Sequence, residues 1–413
     1  MGSTFELPMS TSPTLALVHP TEEEKSIQFH LNGAEWRGAL SLPAYLRREE
    51  VLSSQVLTRD GGLTYWILID SAAKGNALDP TSSARLPLAS CETLRKRALV
   101  WQDGKLQEVI CHGVGSVFCA PQLRGKRYAQ RMFEELGQVL KTHQVTAKCE
   151  SLFSVLYSDI GKRFYANHGW EPFNSSHISL PAARSKANDT NSLPGLPSAR
   201  PLYGEDLEEL CKIDEALIRR SLESRPKGSN IAVALIPDIN IIRWHHAREE
   251  YVGTELHGKV PQLKGAVVGT EKGKRVWCYW TRMYYNEDPK DPKGNTLHIL
   301  RIVMEDQESA CWEEASGTNG ATGGQDTGED SHETAIAALL SMAQREAEEW
   351  GLEEVEAWNP SSATLAAARR LYPGVKVVDR DSESIASLRW FPEHQGSITE
   401  SIDWIANEKH GWC

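Results

Sequence analysis

The 413-residue sequence predicts an α/β protein with mixed sheets, built twice in tandem. Three observations predict it. Apolar strand-like runs alternate with amphipathic helical runs, and the order of these runs after residue 201 repeats in outline the order before it. Between the halves lies 182–201, AARSKANDTNSLPGLPSARP, which has no apolar periodicity and is dense in Ser, Asn, Pro and small residues. At roughly 150 residues per domain the length accommodates two domains. The expected plan is an N-terminal domain over 1–185, a linker over 186–201 and a C-terminal domain over 202–413. A mobile loop rich in Gly and acids interrupts the second domain at 314–331.

In the first half, 15–19 reads as a short strand and 22–33 as a helix with acids in its first turn, where the helix dipole favours them. Residues 42–57 form a second helix. The run 63–69, LTYWILI, is a strong apolar strand, 88–101 alternates as a strand, and 106–119 continues the sheet. A helix over 126–142 places Tyr128, Met132, Phe133, Leu136 and Leu140 on one face. The strand 151–157 and a helix over 159–168 follow, with Gly169 placed to end the helix. The second half reads as a helix at 205–221, helical stretches around 237–251, and strands at 263–269, 276–285 and 296–304. After the loop come a helix at 332–351, a strand at 353–358 and a helix at 362–372.

Composition narrows the function classes. Hydrophobic residues make up 40% and charged residues 24%, as in soluble globular proteins. The net charge of −11 argues against a nucleic-acid binder, which gathers positive charge. No apolar run is long enough to span a membrane, and the first 20 residues lack a basic stretch followed by an apolar core. A cytoplasmic protein with no nucleic-acid or membrane partner is expected. The eight cysteines show no CxxC pair, so they are expected to be reduced core residues, and no metal site is expected.

Chemistry concentrates in Val117 to Ala129, VFCAPQLRGKRYA, where an apolar strand passes through a basic glycine turn into a helix. Unpaired main-chain N–H groups and the positive end of the macrodipole make such a helix start suitable for a pyrophosphate. Gly125 permits close approach, while Arg124, Lys126 and Arg127 add positive charge. Downstream, Tyr157-Ser158-Asp159-Ile160-Gly161-Lys162-Arg163-Phe164-Tyr165-Ala166-Asn167-His168-Gly169-Trp170 runs from strand to helix.

Together these segments resemble the GNAT superfamily of acetyl-CoA-dependent N-acyltransferases. Gln122, Leu123, Arg124, Gly125, Lys126 and Arg127 occupy its motif A, Gln or Arg, two residues, Gly, one residue, Gly or Ala. Ser158, Gly161, Phe164, Tyr165 and Gly169-Trp170 fall at the spacings of motif B. Three residues depart from the pattern: Arg127 replaces Gly or Ala, Ser158 replaces Asn, and Gly161 replaces Ala. The strings Val114-Gly115-Ser116-Val117-Phe118, Arg124-Gly125-Lys126 and Leu156 to Gly161 are similar to those of the fungal lysine N6-acetyltransferases of lysine catabolism. That family carries a C-terminal extension of this size. The resemblance implies a GNAT fold whose second domain is degenerate, because the acidic segment after 304 stands where a phosphate-binding turn belongs.

It further implies acetyl transfer to a small amine, with free L-lysine as the expected acceptor. A polyamine, another amino acid or a secondary-metabolite amine is the alternative acceptor, and an inactive acyl-CoA-binding module is the alternative function. Acetyl-CoA would be held by the main chain of Val117 and Cys119 and by Gln122, Arg124, Gly125, Lys126, Arg127 and Ser158. An amine nucleophile must lose a proton, and His112 and Glu108 on the preceding strand are the candidate bases, with His112 better matched to neutral pH. Tyr165 is the candidate acid for the departing thiolate.

Overall fold

The computed structural model describes residues 7–73, 75–79, 81–183, 195–306 and 327–412. The first half contains β1 (Leu15–Val18), α1 (Glu22–Trp36), α2 (Leu42–Ser53), β2 (Leu63–Asp70), β3 (Ala89–Gln102) and β4 (Lys105–Phe118). It continues with α3 (Tyr128–Val139), β5 (Ser151–Ser158), α4 (Arg163–Ala166), β6 (Glu171–Pro172) and β7 (Ser176–Pro181). The second contains β8 (Ala199–Leu202), α5 (Leu207–Glu223), β9 (Ile231–Leu235), α6 (Ile239–His257), β10 (Gly265–Val268), β11 (Val276–Met283) and β12 (Thr296–Met304). After these come α7 (Thr327–Glu349), β13 (Glu354–Trp358), α8 (Ser362–Leu371), β14 (Val378–Asp379), β15 (Ile385–Trp390) and β16 (Ile402–Ile405).

Local chemistry sets the helix ends. Thr21 and Glu24 form a capping box at α1, Ser41 caps α2, and Asp238 accepts from two main-chain N–H groups at the start of α6. Gly258, at φ 67, closes α6 in the left-handed conformation. The stretches around 237–251 are thus one continuous helix. The helix expected over 159–168 contracts to a single turn, because the Ser158 hydroxyl bonds the carbonyl of Gly161, itself at φ 77.

Two mixed sheets form. In the first the order is β1-β2-β3-β4-β5-β15-β6, with β9 also pairing β3 and β16 pairing β9. In the second it is β14-β7-β13-β12-β11-β10-β8. The pairs β4–β5 and β12–β13 are parallel and occupy equivalent places. Under the first sheet, Met132, Phe133, Leu136 and Leu140 of the α3 segment pack on Leu68, Val114 and Leu156; beside the second, Ile336, Leu339 and Leu340 of α7 pack on Cys278, Leu297 and Val355. These buried apolar faces hold the layers together.

The sheets do not follow the expected sequence boundaries. β15 lies against β5 in the first sheet, and β7 lies against β13 in the second, so each half supplies the strand that covers the other's open edge. The expected 1–185 and 202–413 units are interleaved at these edges. Of the expected linker, 199–201 belongs to β8, and 186–194 lies outside the described residues. Most of the expected loop also lies outside them, while 327–331 is helical.

Candidate active site

The parallel strands β4 and β5 pair only as far as Val114 and Leu156. Beyond that point they separate, and Gly115 to Cys119 line a cavity of about 1200 Å³. On its other side β4 carries a bulge: its register against β3 slips between Ser90 and Glu92, and Ser116 adopts φ 49. A positive φ in a residue with a side chain is strained, and here it accompanies the opening of the strands.

One end of the cavity is built around this opening. After Phe118 the chain makes a short 3-10 turn, Pro121–Leu123, and α3 starts at Tyr128. Gly125 has φ 77, and a Cβ there would meet nothing within 4 Å, so the glycine serves conformation and leaves open space above the turn. Arg127 is the residue capping α3 and has φ 65, the left-handed conformation that glycine adopts without cost. That explains physically why Gly suits this place, and the Arg127 side chain is exposed. Val117, Cys119, Arg124, Ala129, Phe164 and Tyr165 line the cavity here. Arg124 bonds the carbonyl of Cys119 at 2.9 Å and Glu35 at 3.1 Å, which ties the turn to α1.

The expected site residues separate into two groups. Val117, Cys119, Arg124 and Tyr165 reach the cavity wall. Gln122, Gly125, Lys126 and Arg127 sit on the exposed turn beside it, and Ser158 lies behind it with its hydroxyl committed to the Gly161 carbonyl at 2.7 Å. His112 is fully buried and does not line the cavity; its Nε2 lies 3.2 Å from Gln144 and its ring 5.2 Å from His143. Burial and the neighbouring His143 hold its pKa down to about 4. Glu108 also points elsewhere, into an ion-pair cluster with Arg97 and Arg219. The Cys119 thiol is pushed up by burial and donates to the Leu88 carbonyl, which disfavours a thiolate nucleophile.

Several carboxylates line the cavity, and the one beside the strand opening is Glu92 on β3, directly opposite Gly115 at the bulge. It is 8% exposed, and its Oε1 has no partner among the described residues. Burial raises its pKa to about 8, the nearby Glu49 charge adds to the rise, and Ser116 and Arg48 oppose it. Periodicity gives no sign of it, since it lies within a strand read as alternating; its one signal is that it is the single charged residue in ASCETL. Tyr165 is buried beside Phe133 and Phe164, with ring centroids 5.0 and 5.1 Å away, and burial raises its pKa. Among the described residues its hydroxyl has no hydrogen-bond partner. No cluster of three or more metal-ligating side chains occurs among the described residues.

A two-sheet fold with a strand fork, a glycine turn into a helix and a cavity shared by both halves is an acyl-CoA N-acyltransferase fold. Its similarity to Saccharomyces cerevisiae N-myristoyltransferase solved with bound myristoyl-CoA has a TM-score of 0.52 at 10% identity, covering 96% of this chain and 85% of that one. The model of the LYC1 GNAT-like C-terminal domain matches residues 177–413, and the chain belongs to this family of GNAT acetyltransferases. A lysine acetyltransferase of Yarrowia lipolytica is 24% identical over 284 residues, covering 60% of this chain and 68% of that protein. An uncharacterized protein of Saccharomyces cerevisiae is 21% identical over 417 residues, covering 92% of this chain and 93% of its own.

Proposed function

We propose that the protein transfers the acetyl group of acetyl-CoA to the ε-amine of free L-lysine, in cytoplasmic lysine degradation. The observation that carries the chemistry is the opening of β4 from β5 into the same cavity that holds Glu92 and Tyr165. The named activity of the Yarrowia lipolytica relative supports lysine as acceptor. In this reading the unpaired N–H groups at the start of α3 hold the pyrophosphate, with Arg124, Lys126 and Arg127 supplying positive charge around it. The main chain from Val117 to Cys119 binds the pantetheine arm and offers N–H groups to the charge developing on the thioester oxygen.

Glu92 is the general base. A lysine amine is protonated at neutral pH, and a carboxylate raised to about 8 is far closer to the amine's affinity for protons than an ordinary one. The neutral amine then attacks the carbonyl carbon, the C–S bond breaks with its electron pair leaving on sulfur, and the new amide nitrogen sheds its extra proton to solvent. Tyr165, kept protonated by burial, returns a proton to that thiolate. The test is thiol release from acetyl-CoA with L-lysine set against polyamines, other amino acids and aromatic amines, with the product mass determined. Lysine-dependent release with a gain of one acetyl group is expected. Coenzyme A binding without release with any amine would leave an inactive acyl-CoA-binding module.

A further inference from the structure

The far side of the cavity is walled by two helices that pack together, α2 and α6. On α2, Tyr45, Arg48, Glu49 and Leu52 share one face, and on α6 Trp244 and Arg248 stand one turn apart. Arg48 is satisfied within this wall: its Nε and one terminal nitrogen bond Glu49, at 2.9 and 2.6 Å, and the other reaches the carbonyl of Trp36. Arg248 is not. Among the described residues no carboxylate lies within ion-pair distance of it and no acceptor bonds its side chain; its guanidinium carbon lies 5.9 Å from the centre of the Trp412 ring. Desolvation and the neighbouring Arg48 pull its pKa down to about 10, whereas Tyr285, Glu49 and Tyr45 oppose this.

A guanidinium facing a partly desolvated cavity without a counter-ion is costly. The planar fork of arginine matches a carboxylate through two parallel hydrogen bonds, which balances that cost when a ligand supplies the anion. Glu92, Tyr45 and Arg248 line the same cavity, and the Tyr45 hydroxyl feels the charges of both the others. A single acceptor molecule with an amine at one end and a carboxylate at the other therefore suits the pair.

We infer that Arg248 is the carboxylate-binding residue of the acceptor site and selects amines that carry a free carboxylate over those that do not. This rests on the acyl-transfer reading above only for the identity of the ligand as acceptor. The test measures binding by calorimetry and turnover by thiol release, for L-lysine, L-lysinamide and pentane-1,5-diamine, with the wild-type chain and with Arg248→Gln and Arg248→Lys. Wild type is expected to bind L-lysine about 30-fold more tightly than L-lysinamide, the range of a charge-assisted pair. Arg248→Gln is expected to lose that preference while keeping its affinity for the diamine and for acetyl-CoA, and Arg248→Lys to recover part of it.

Equal binding of lysine and its amide by wild type overturns the inference without recourse to any variant. So does an equal loss for all three amines in Arg248→Gln, or a matching loss for acetyl-CoA, which would make Arg248 a donor-phosphate residue. Carboxylate-dependent binding with no acetyl transfer to any of the three would defeat the acyl-transfer reading and leave this site standing. Transfer without carboxylate dependence would do the reverse.

Discussion

The molecule contains two parallel strand pairs in equivalent places, β4–β5 and β12–β13, and they have been put to opposite uses. After β4 the chain turns through an exposed glycine and three cations into the start of α3, and the strands part so that Gly115 to Cys119 line the cavity. After β12 comes Glu305, whose carboxylate accepts from the N–H groups of Gly273 and Arg275 and pairs with the Arg275 guanidinium at 2.5 Å. Asp306 pairs with His332. An anion placed there would meet fixed carboxylates in place of free donors. The second pair instead faces the cavity with the opposite ends of its strands, through Thr296, His298, Glu354 and Glu356. In the proposed reading, one plan used twice gives a donor cradle in one sheet and an acceptor wall in the other.

The most severe way to break this division is Glu92→Gln, since Glu92 belongs to the first fork and has no counterpart assigned in the second. Turnover is expected to fall by about 10²- to 10⁴-fold with little change in acetyl-CoA affinity. In the wild type, kcat/KM should rise with pH and level off above about 8, as Glu92 loses its proton, and this limb should vanish in the variant. Stability runs the other way. A carboxyl raised in the fold favours its protonated form there, so its contribution is complete below the ordinary carboxylate range and is lost as pH rises through about 8. Glu92→Gln should therefore be the more stable protein at pH 9 and show no such advantage at pH 4, measured as Tm at both.

Tyr165→Phe keeps the packing on Phe133 and removes only the hydroxyl. A fall in turnover of about 10²-fold, with acetyl-CoA binding retained in a titration, is expected for the acid. Unchanged turnover would remove Tyr165 from the mechanism and leave the leaving thiolate to solvent.

Much of the first fork was legible in the sequence because its signals are local. The run VFCAPQLRGKRYA shows strand, glycine turn, cations and helix within a few residues, and the structure has them in that order. The second-half strands at 276–285 and 296–304, and the helices at 205–221 and 362–372, were equally plain from apolar periodicity and end within three residues of those positions. What the sequence concealed is non-local. β7 and β15 are six-residue runs whose partners lie in the opposite half, so no spacing along the chain marks the exchange. Glu92 is distinguished by burial and by Glu49 on α2, neither of which is visible in ASCETL. His112 had the right intrinsic chemistry for a base and the right strand, but its side chain faces Gln144 and His143 away from the cavity. Arg248 is one cation among many until its lack of a counter-ion among the described residues is seen.

Glu305→Gln sharpens the comparison from the second fork. It removes a buried charge that satisfies two main-chain donors and Arg275, so about 2 kcal/mol of stability should be lost in a urea titration. The KM for acetyl-CoA should stay at the wild-type value. A rise in that KM would mean that the second fork takes part in holding the donor, and the division of labour between the two would fail.

The smallest effect separates two roles within the first fork. Arg127 spends backbone strain at φ 65 to keep a cation beside the start of α3. Arg127→Gly removes the strain, worth roughly 1–2 kcal/mol for an L-residue in this conformation. Glycine's greater freedom in the unfolded chain offsets most of that gain, leaving a net increase of about 0.5 kcal/mol. If the side chain also serves the donor phosphates, the KM for acetyl-CoA should rise a few-fold in the same variant and become less sensitive to salt, since an exposed cation acts through a screened field. A stabilised protein with an unchanged KM would assign phosphate binding to the main chain and its neighbours Arg124 and Lys126. The strain at Arg127 would then have no catalytic return.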